Sequence, residues 1–188
     1  MRPMKQSEQE EFLEIHIPYR LRAVELLRVV SEWRLAGVNP RRVDILFDGS
    51  PALSGSIGLI HNPFLEVGLM FGRVLLEFLG IKLSMKGQLV ARQGRQDTDV
   101  VIEDIDGLQS ISPEALKDVP LAPGDAVRRS IEMLIATSHK GVAHLTSDPA
   151  HSPTLQELHL GSQVVPWLVC EHVYKKKGRA IPNYRLAV

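Results

Sequence analysis

Apolar residues recur at helical spacing in several long stretches of the chain. After Pro18, which suits a helix start because its missing N–H is not needed there, Tyr19, Ala23, Leu26, Val30 and Trp33 follow at steps of four, three, four and three. That stripe predicts a helix running to about Ala36, with Gly37 as its stop and Trp33 as a core anchor. Arg20, Arg22, Glu25, Arg28, Glu32 and Arg34 are expected on its outer surface, and residues 1–17 read as a polar, frayed tail ending in a short apolar stretch. Residues 37–63 are punctuated by Pro40, Gly49, Pro51, Gly55, Gly58 and Pro63, which excludes a long helix; Val43–Phe47 is either a short strand or a packed loop near the core.

Phe64–Leu83 is almost wholly apolar. Glu66, Arg73, Glu77 and Lys82 lie inside it, and charges at mid-span favour a central helix over a membrane span. At about 100° per residue, Glu66, Arg73 and Glu77 share one narrow sector, and Arg73 and Glu77 are one turn apart and can pair. Such a helix is either wrapped by neighbours or laid along a partner, and Gly68 and Gly72 allow another helix close. Further on, Leu89-Val90 and Val100-Val101-Ile102 flank a polar run, giving a small hairpin or an irregular insertion. Ser112-Pro113 opens a short helix ending near Val119. Gly124-Asp125 begins another helix, whose face is Val127, Ile131, Leu134, Ser138, Val142 and Leu145, widened by Ile135. After a loop at 146–154, a last helix spans about Leu155–Lys177, with a kink expected near Trp167 from Pro166.

Composition narrows the classes. The 188 residues balance 22 Lys+Arg against 22 Asp+Glu, which argues against a strongly basic nucleic-acid coat but leaves room for a local basic patch. Cys170 is the only cysteine, so no intrachain disulfide or cysteine-rich zinc site exists, and it reads as a buried thiol. The first twelve residues lack the apolar core of a signal peptide, and the expectation is a cytoplasmic protein with no membrane segment. Asp97, Asp99, Glu103, Asp104 and Asp106 form an acidic loop without calcium-loop spacing; no cofactor or metal is expected.

The segment richest in chemistry is Ser138-His139-Lys140-Gly141-Val142-Ala143-His144. Lys140 and His144 share a helix face, whereas His139 is rotated about 140° from His144, so the two imidazoles do not chelate one metal unless the helix breaks at Gly141. His151, His159 and His172 are scattered and read as surface residues.

Two stretches, Gly72-Arg73-Val74-Leu75-Leu76-Glu77-Phe78-Leu79 and His139-Lys140-Gly141-Val142-Ala143-His144-Leu145-Thr146, together resemble the helical HEPN superfamily (nucleotide-binding helical domains of higher eukaryotes and prokaryotes). More narrowly, they resemble a bacterial branch in which an Arg/Glu-Phe helix precedes an Ala-His-Leu-Thr helix end. The resemblance covers roughly residues 15–175. It implies a four-to-five-helix bundle, a homodimer with polar sites meeting near the interface, and a toxin or defence role acting on RNA or a nucleotide. In its ribonuclease members an arginine, an adjacent polar residue and a histidine support attack of the ribose 2′-hydroxyl on the neighbouring phosphate. The resemblance places His144 at the histidine position, Lys140 in the polar slot and His139 where the arginine stands. An imidazole is a weaker, pH-dependent phosphate clamp than a guanidinium, so a catalytically degenerate member is implied.

The expectation is therefore a mainly α single domain over residues 1–188, with a small irregular or β-hairpin insertion. His144 and His139 are the candidate catalytic groups, and Lys140, Arg73 and Glu77 the substrate-binding ones. The competing expectation is a non-enzymatic helical module that uses the same face for dimerisation or a protein partner.

Overall fold

A computed structural model describes residues 4–38, 40, 42–94, 96, 99–139 and 153–186. The chain is helical from Gln6, earlier than the polar composition of residues 1–17 suggests. α1 (Gln6–Glu11) passes through a wide π turn at Phe12–His16 into α2 (Ile17–Leu35). Pro18 explains the widening. A proline ring clashes with the carbonyl four residues back, and the ladder relaxes by letting the Ile17 N–H donate to the Phe12 carbonyl. Leu13 and Ile17 are buried, and Gln9 is held between the Met4 carbonyl and the Asp106 N–H, so the expected frayed tail is part of the body. α2 stops at Gly37 as its sequence implies. Gly37 adopts a φ of 74°, its N–H donates to the Arg34 carbonyl, and the Val38 N–H donates to the Trp33 carbonyl.

The buried side of α2 is broader than the stripe read from its spacing. Tyr19 is 57% exposed and Trp33 only half-buried, whereas Leu21, Val24, Leu27 and Ser31 are buried. α2 is packed by α3 (Gly58–Leu79) on one side and α5 (Leu155–Val169) on the other, so two adjoining sectors are covered. Both neighbours run antiparallel to it. Phe12, Tyr19 and Trp33 of the first long helix meet Phe78, Phe71 and His61 in turn, while Ser31 meets His159 and Tyr174 donates to the Leu13 carbonyl. Glu25, expected outside, is fully buried. Arg28 holds it in a fork, Nε to Oε2 at 3.0 Å and Nη2 to Oε1 at 2.8 Å, and Arg185 from the C-terminal segment approaches at 3.4 Å.

α3 begins six residues earlier than its apolar run suggests and ends at Gly80, whose φ of 105° caps it; Ile81–Leu83 is not helical. Gly68 is where α2 crosses, against Leu27 and Ala23, and Gly72 faces Leu134 of α4 (Gly124–Thr137). Gly161 of α5 meets α4 in the same way. These glycines set close helix–helix approaches in the body.

Two small antiparallel sheets complete the fold. β1 (Val43–Phe47) and β2 (Ser50–Gly55) form a hairpin between α2 and α3, turned by Asp48 and Gly49 at φ of 50° and 79°. Both turn residues have positive φ, the geometry that an Asp-Gly pair supports and that matches the twist of the flanking strands. Leu46 to Ser54 are all exposed, so this segment does not tuck into the core as its apolar content suggests. β3 (Ile81–Leu83) pairs with β4 (Leu89–Ala91) between α3 and α4. The expected partner of Leu89-Val90 was Val100–Ile102, but Ile102–Asp104 turns into a 3₁₀ segment, and the nearer strand closes first through Gly87. Pro113–Asp118 is a second 3₁₀ segment.

On α4, Val127, Ile131, Leu134, Ile135 and Ser138 are buried as the spacing requires, while Val142 and Leu145 lie outside the described residues. Thr154 caps α5 by accepting from the Glu157 N–H, and Glu157 reaches back to the Thr154 N–H. The chain stays helical through buried Pro166 to Val169, then takes π geometry over Cys170–Lys175.

Candidate functional site

The apposition of α3 and α4 positions the cluster of interest. Gly72 lets Leu134 close onto α3, and the next residue, Arg73, is thereby carried to the C-terminal end of α4. Its Nη1 lies 3.2 Å from Nδ1 of His139, and its Nε lies 3.2 Å from Oε1 of Glu77, one turn along. The side chains of Arg73 and Glu77 are 26% and 40% exposed, and His139 is exposed. A guanidinium has only donors, so Nδ1 of His139 is the acceptor. The imidazole is then neutral with its proton on Nε2, pointing away from the arginine. Glu77 offsets the guanidinium charge without enclosing it.

Of the residues singled out in the sequence, Arg73, Glu77 and His139 thus meet across 66 positions of chain. His144 and Lys140 lie outside the described residues, as does Asp97 of the acidic loop. Three acids of that loop have local duties: Asp99 accepts from the Gln96 N–H, Asp104 from the Val101 N–H, and Glu103 pairs with Arg92 at 3.2 Å. Among the described residues no three His, Cys, Asp or Glu side chains converge as a metal site.

Two members of the trio each line a cleft. Glu77 lines a cavity of about 350 Å³ with Phe12, Arg20, Val74, Phe78 and Arg92. His139 lines another of about 510 Å³ with Leu83, Met85 and Lys86. Arg20 and Arg92 were not flagged from the sequence. Arg20 donates to the His16 carbonyl at 2.8 Å and its guanidinium lies 5.6 Å above the Phe71 ring, which turns it toward α3 rather than to open solvent. Arg92 bonds the Gly94 carbonyl and Glu103, and its Nε is buried with no hydrogen-bond partner among the described residues. No local spacing marks either residue; the α2–α3 packing brings in Arg20, and the β3–β4 hairpin, with the Arg92 N–H donating to the Gly80 carbonyl at 2.7 Å, brings in Arg92.

Four further titratable groups are buried or half-buried in the body. Cys170 is buried, and burial pushes its thiol up from the ordinary value. His159, read as a surface residue, is half-buried between Ser31 and Gln163. His172 is half-buried edge-on to Trp167, and burial lowers its pKa. His61 is buried beside Trp33 with Nε2 unpartnered among the described residues; burial lowers its pKa first and nearby Arg34 second. α3 is the one helix among the described residues long and apolar enough to cross a membrane, with a third of its apolar window buried. No family model, curated protein or solved structure matches the chain.

Proposed function

We propose that the chain is a cytoplasmic HEPN-type helical protein that binds RNA or a nucleotide through phosphate, catalytically degenerate and of toxin or defence type. The observation that carries this reading is the Arg73–His139 contact at 3.2 Å. The resemblance leaves an imidazole where an arginine belongs, and a guanidinium from a different helix stands beside that imidazole. Of its donors Arg73 engages Nη1 with His139, while Glu77 stands beside Nε as an ion pair, so a phosphate oxygen can join the cluster from the solvent side. If cleavage occurs, His144 is the group that moves the proton, His139 or Lys140 contacts phosphate, and Arg73 stabilises its charge.

The test is binding of a fluorescently labelled single-stranded RNA, followed by anisotropy, for wild type, Arg73→Ala and His139→Ala, with cleavage of total RNA compared between wild type and His144→Ala. Loss of one charge-assisted contact should weaken binding about tenfold or more in Arg73→Ala. Unchanged binding in that variant removes the phosphate role. Cleavage unaffected by His144→Ala removes the catalytic assignment.

A second reading rests on the outer edge of α3, where Leu59, Val67, Met70 and Val74 are exposed in one stripe. It makes the protein a non-enzymatic module that packs this helix against the same helix of a second copy. Met70→Lys would then abolish self-association, whereas under the first reading it leaves RNA binding in place.

A further inference from the structure

The β1–β2 hairpin has the chemistry of an unfinished sheet. Its two faces differ. On β1, Val43, Ile45 and Phe47 alternate onto one face, joined by Leu53 opposite Ile45. The other face carries Asp44, bonded to Arg42 at 3.1 Å and to the Ser54 hydroxyl, which also accepts from Arg42. Phe47 is 72% exposed, Leu46 53% and Leu53 48%, and two strands alone are marginal in water. The two edges are also unequal. β2 contains Pro51, a residue without an N–H that blunts an edge against further pairing, and it bulges between its partners of Ile45 and Leu46. β1 has neither device.

We propose that β1 pairs with β1 of a second copy of this chain, antiparallel about a two-fold axis at Ile45, making a four-stranded sheet. In that register Ile45 faces Ile45 of the partner subunit, Val43 faces Phe47 of the partner subunit, and Arg42 faces Asp48 of the partner subunit. Two-fold symmetry repeats the last two pairings, so each copy supplies one cation and one anion to complementary ends. The apolar face doubles into a continuous strip while the polar faces stay on the other side. A one-residue slip either way would set the apolar face of one copy beside the polar face of the other, which is what fixes the register. The inference depends neither on phosphate binding nor on the α3 stripe, because it uses a different element.

The test is disulfide trapping. Cys170 is the sole native thiol and is buried. Ile45→Cys places two thiols on the axis, at a spacing that antiparallel neighbours share with disulfides, whereas Leu53→Cys puts them one strand further out on each side. Under mild oxidation of dilute protein, Ile45→Cys should cross-link at least about tenfold faster than Leu53→Cys. Sedimentation of unmodified protein should show a dimer that Arg42→Glu weakens roughly tenfold, with Arg42→Glu plus Asp48→Lys restoring it. The hairpin is exposed, so helical circular dichroism should be unchanged in each variant. Equal cross-linking rates for the two cysteines, or a dimer indifferent to Arg42→Glu, overturns the proposal. A dimer lost in Met70→Lys but not in Arg42→Glu assigns association to α3 instead.

Discussion

Replacing Gly68 by alanine tests whether α2 and α3 are held as closely as the fold requires. A Cβ at Gly68 would stand 2.4 Å from the Leu27 Cβ and 2.9 Å from the Ala23 carbonyl oxygen. Neither neighbour is a flexible tip. A Cβ and a backbone oxygen move only if the whole helix moves, so relief means separating α2 from α3 by more than about 1 Å, where ordinary carbon contacts lie near 3.5–4.0 Å. Overpacking of this kind costs about 1–3 kcal/mol, and the rigidity of the contacts places Gly68 at the upper end. Alanine in a helix recovers about 1 kcal/mol relative to glycine. The net loss is then about 2 kcal/mol, which for a chain of this length lowers Tm by roughly 4–8 °C. Gly72→Ala is the matched control. Its Cβ would meet only the Leu134 side-chain methyls, at 3.1 and 3.3 Å, and a rotamer adjustment relieves them. Thermal unfolding followed by circular dichroism should rank Gly72→Ala near wild type and Gly68→Ala well below it. A Gly68→Ala protein as stable as wild type would refute the α2–α3 crossing.

Three further outcomes follow, two from buried groups and one from the proposed phosphate contact. Glu25→Ala should destabilise by about 3 kcal/mol, because Arg28 would lose the fork that neutralises it, whereas Arg185→Ala, whose side chain is 61% exposed, should cost under about 1 kcal/mol; urea unfolding distinguishes the two. His61 has a depressed folded pKa, so the unfolded chain binds the extra proton. Its contribution is present above the unfolded value of about 6.5 and is lost as pH falls below it; His61→Leu should flatten that part of the stability–pH profile, with His172, shifted the same way, accounting for a remaining slope. For RNA binding, Arg73→Ala should reduce the slope of log affinity against log salt by about 0.7, the value for one phosphate on a single strand, while Glu77→Gln leaves the slope intact.

The helices were legible because each has a periodic face and chemical stops. Gly37 and Gly124-Asp125 mark ends and starts that the structure keeps, and Val127, Ile131 and Leu134 are buried where their spacing puts them. The errors share a cause in packing. A single-stripe reading of α2 left Glu25 outside, because it assumed one covering neighbour where there are two. The hairpin at Val43–Gly55 carried a strong local signal in Asp48-Gly49, masked by the frequency of glycine and proline around it. Gly80 ended α3 inside an apolar run, where hydrophobicity alone gives no reason to stop. At the candidate site, the pairing of Arg73 with Glu77 was visible as helical spacing, but its contact with His139 depends on how closely α4 approaches Gly72.

A chain of zero net charge can still present a local cation, and the way it does so limits what that cation can hold. Arg20, Arg73 and Arg92 belong to the same side of the molecule, but each already has a protein partner: a carbonyl and an aromatic face, a carboxylate and an imidazole, and a carboxylate with a carbonyl. An incoming phosphate would therefore meet guanidinium groups that are already partly engaged. That favours positioning over raw affinity, since Glu77 and Glu103 stay close and oppose the anion. His139 adds to this restraint, because its Nδ1 is engaged as an acceptor from Arg73 and an imidazole is a weaker phosphate clamp than the guanidinium that the resemblance implies at that place. Protonating His139 would give phosphate a second cation but would cost the contact with Arg73, two positive groups at 3.2 Å being repulsive. On the proposed reading, a neutral imidazole beside one charged arginine would hold an anion weakly and would be poorly suited to driving its cleavage.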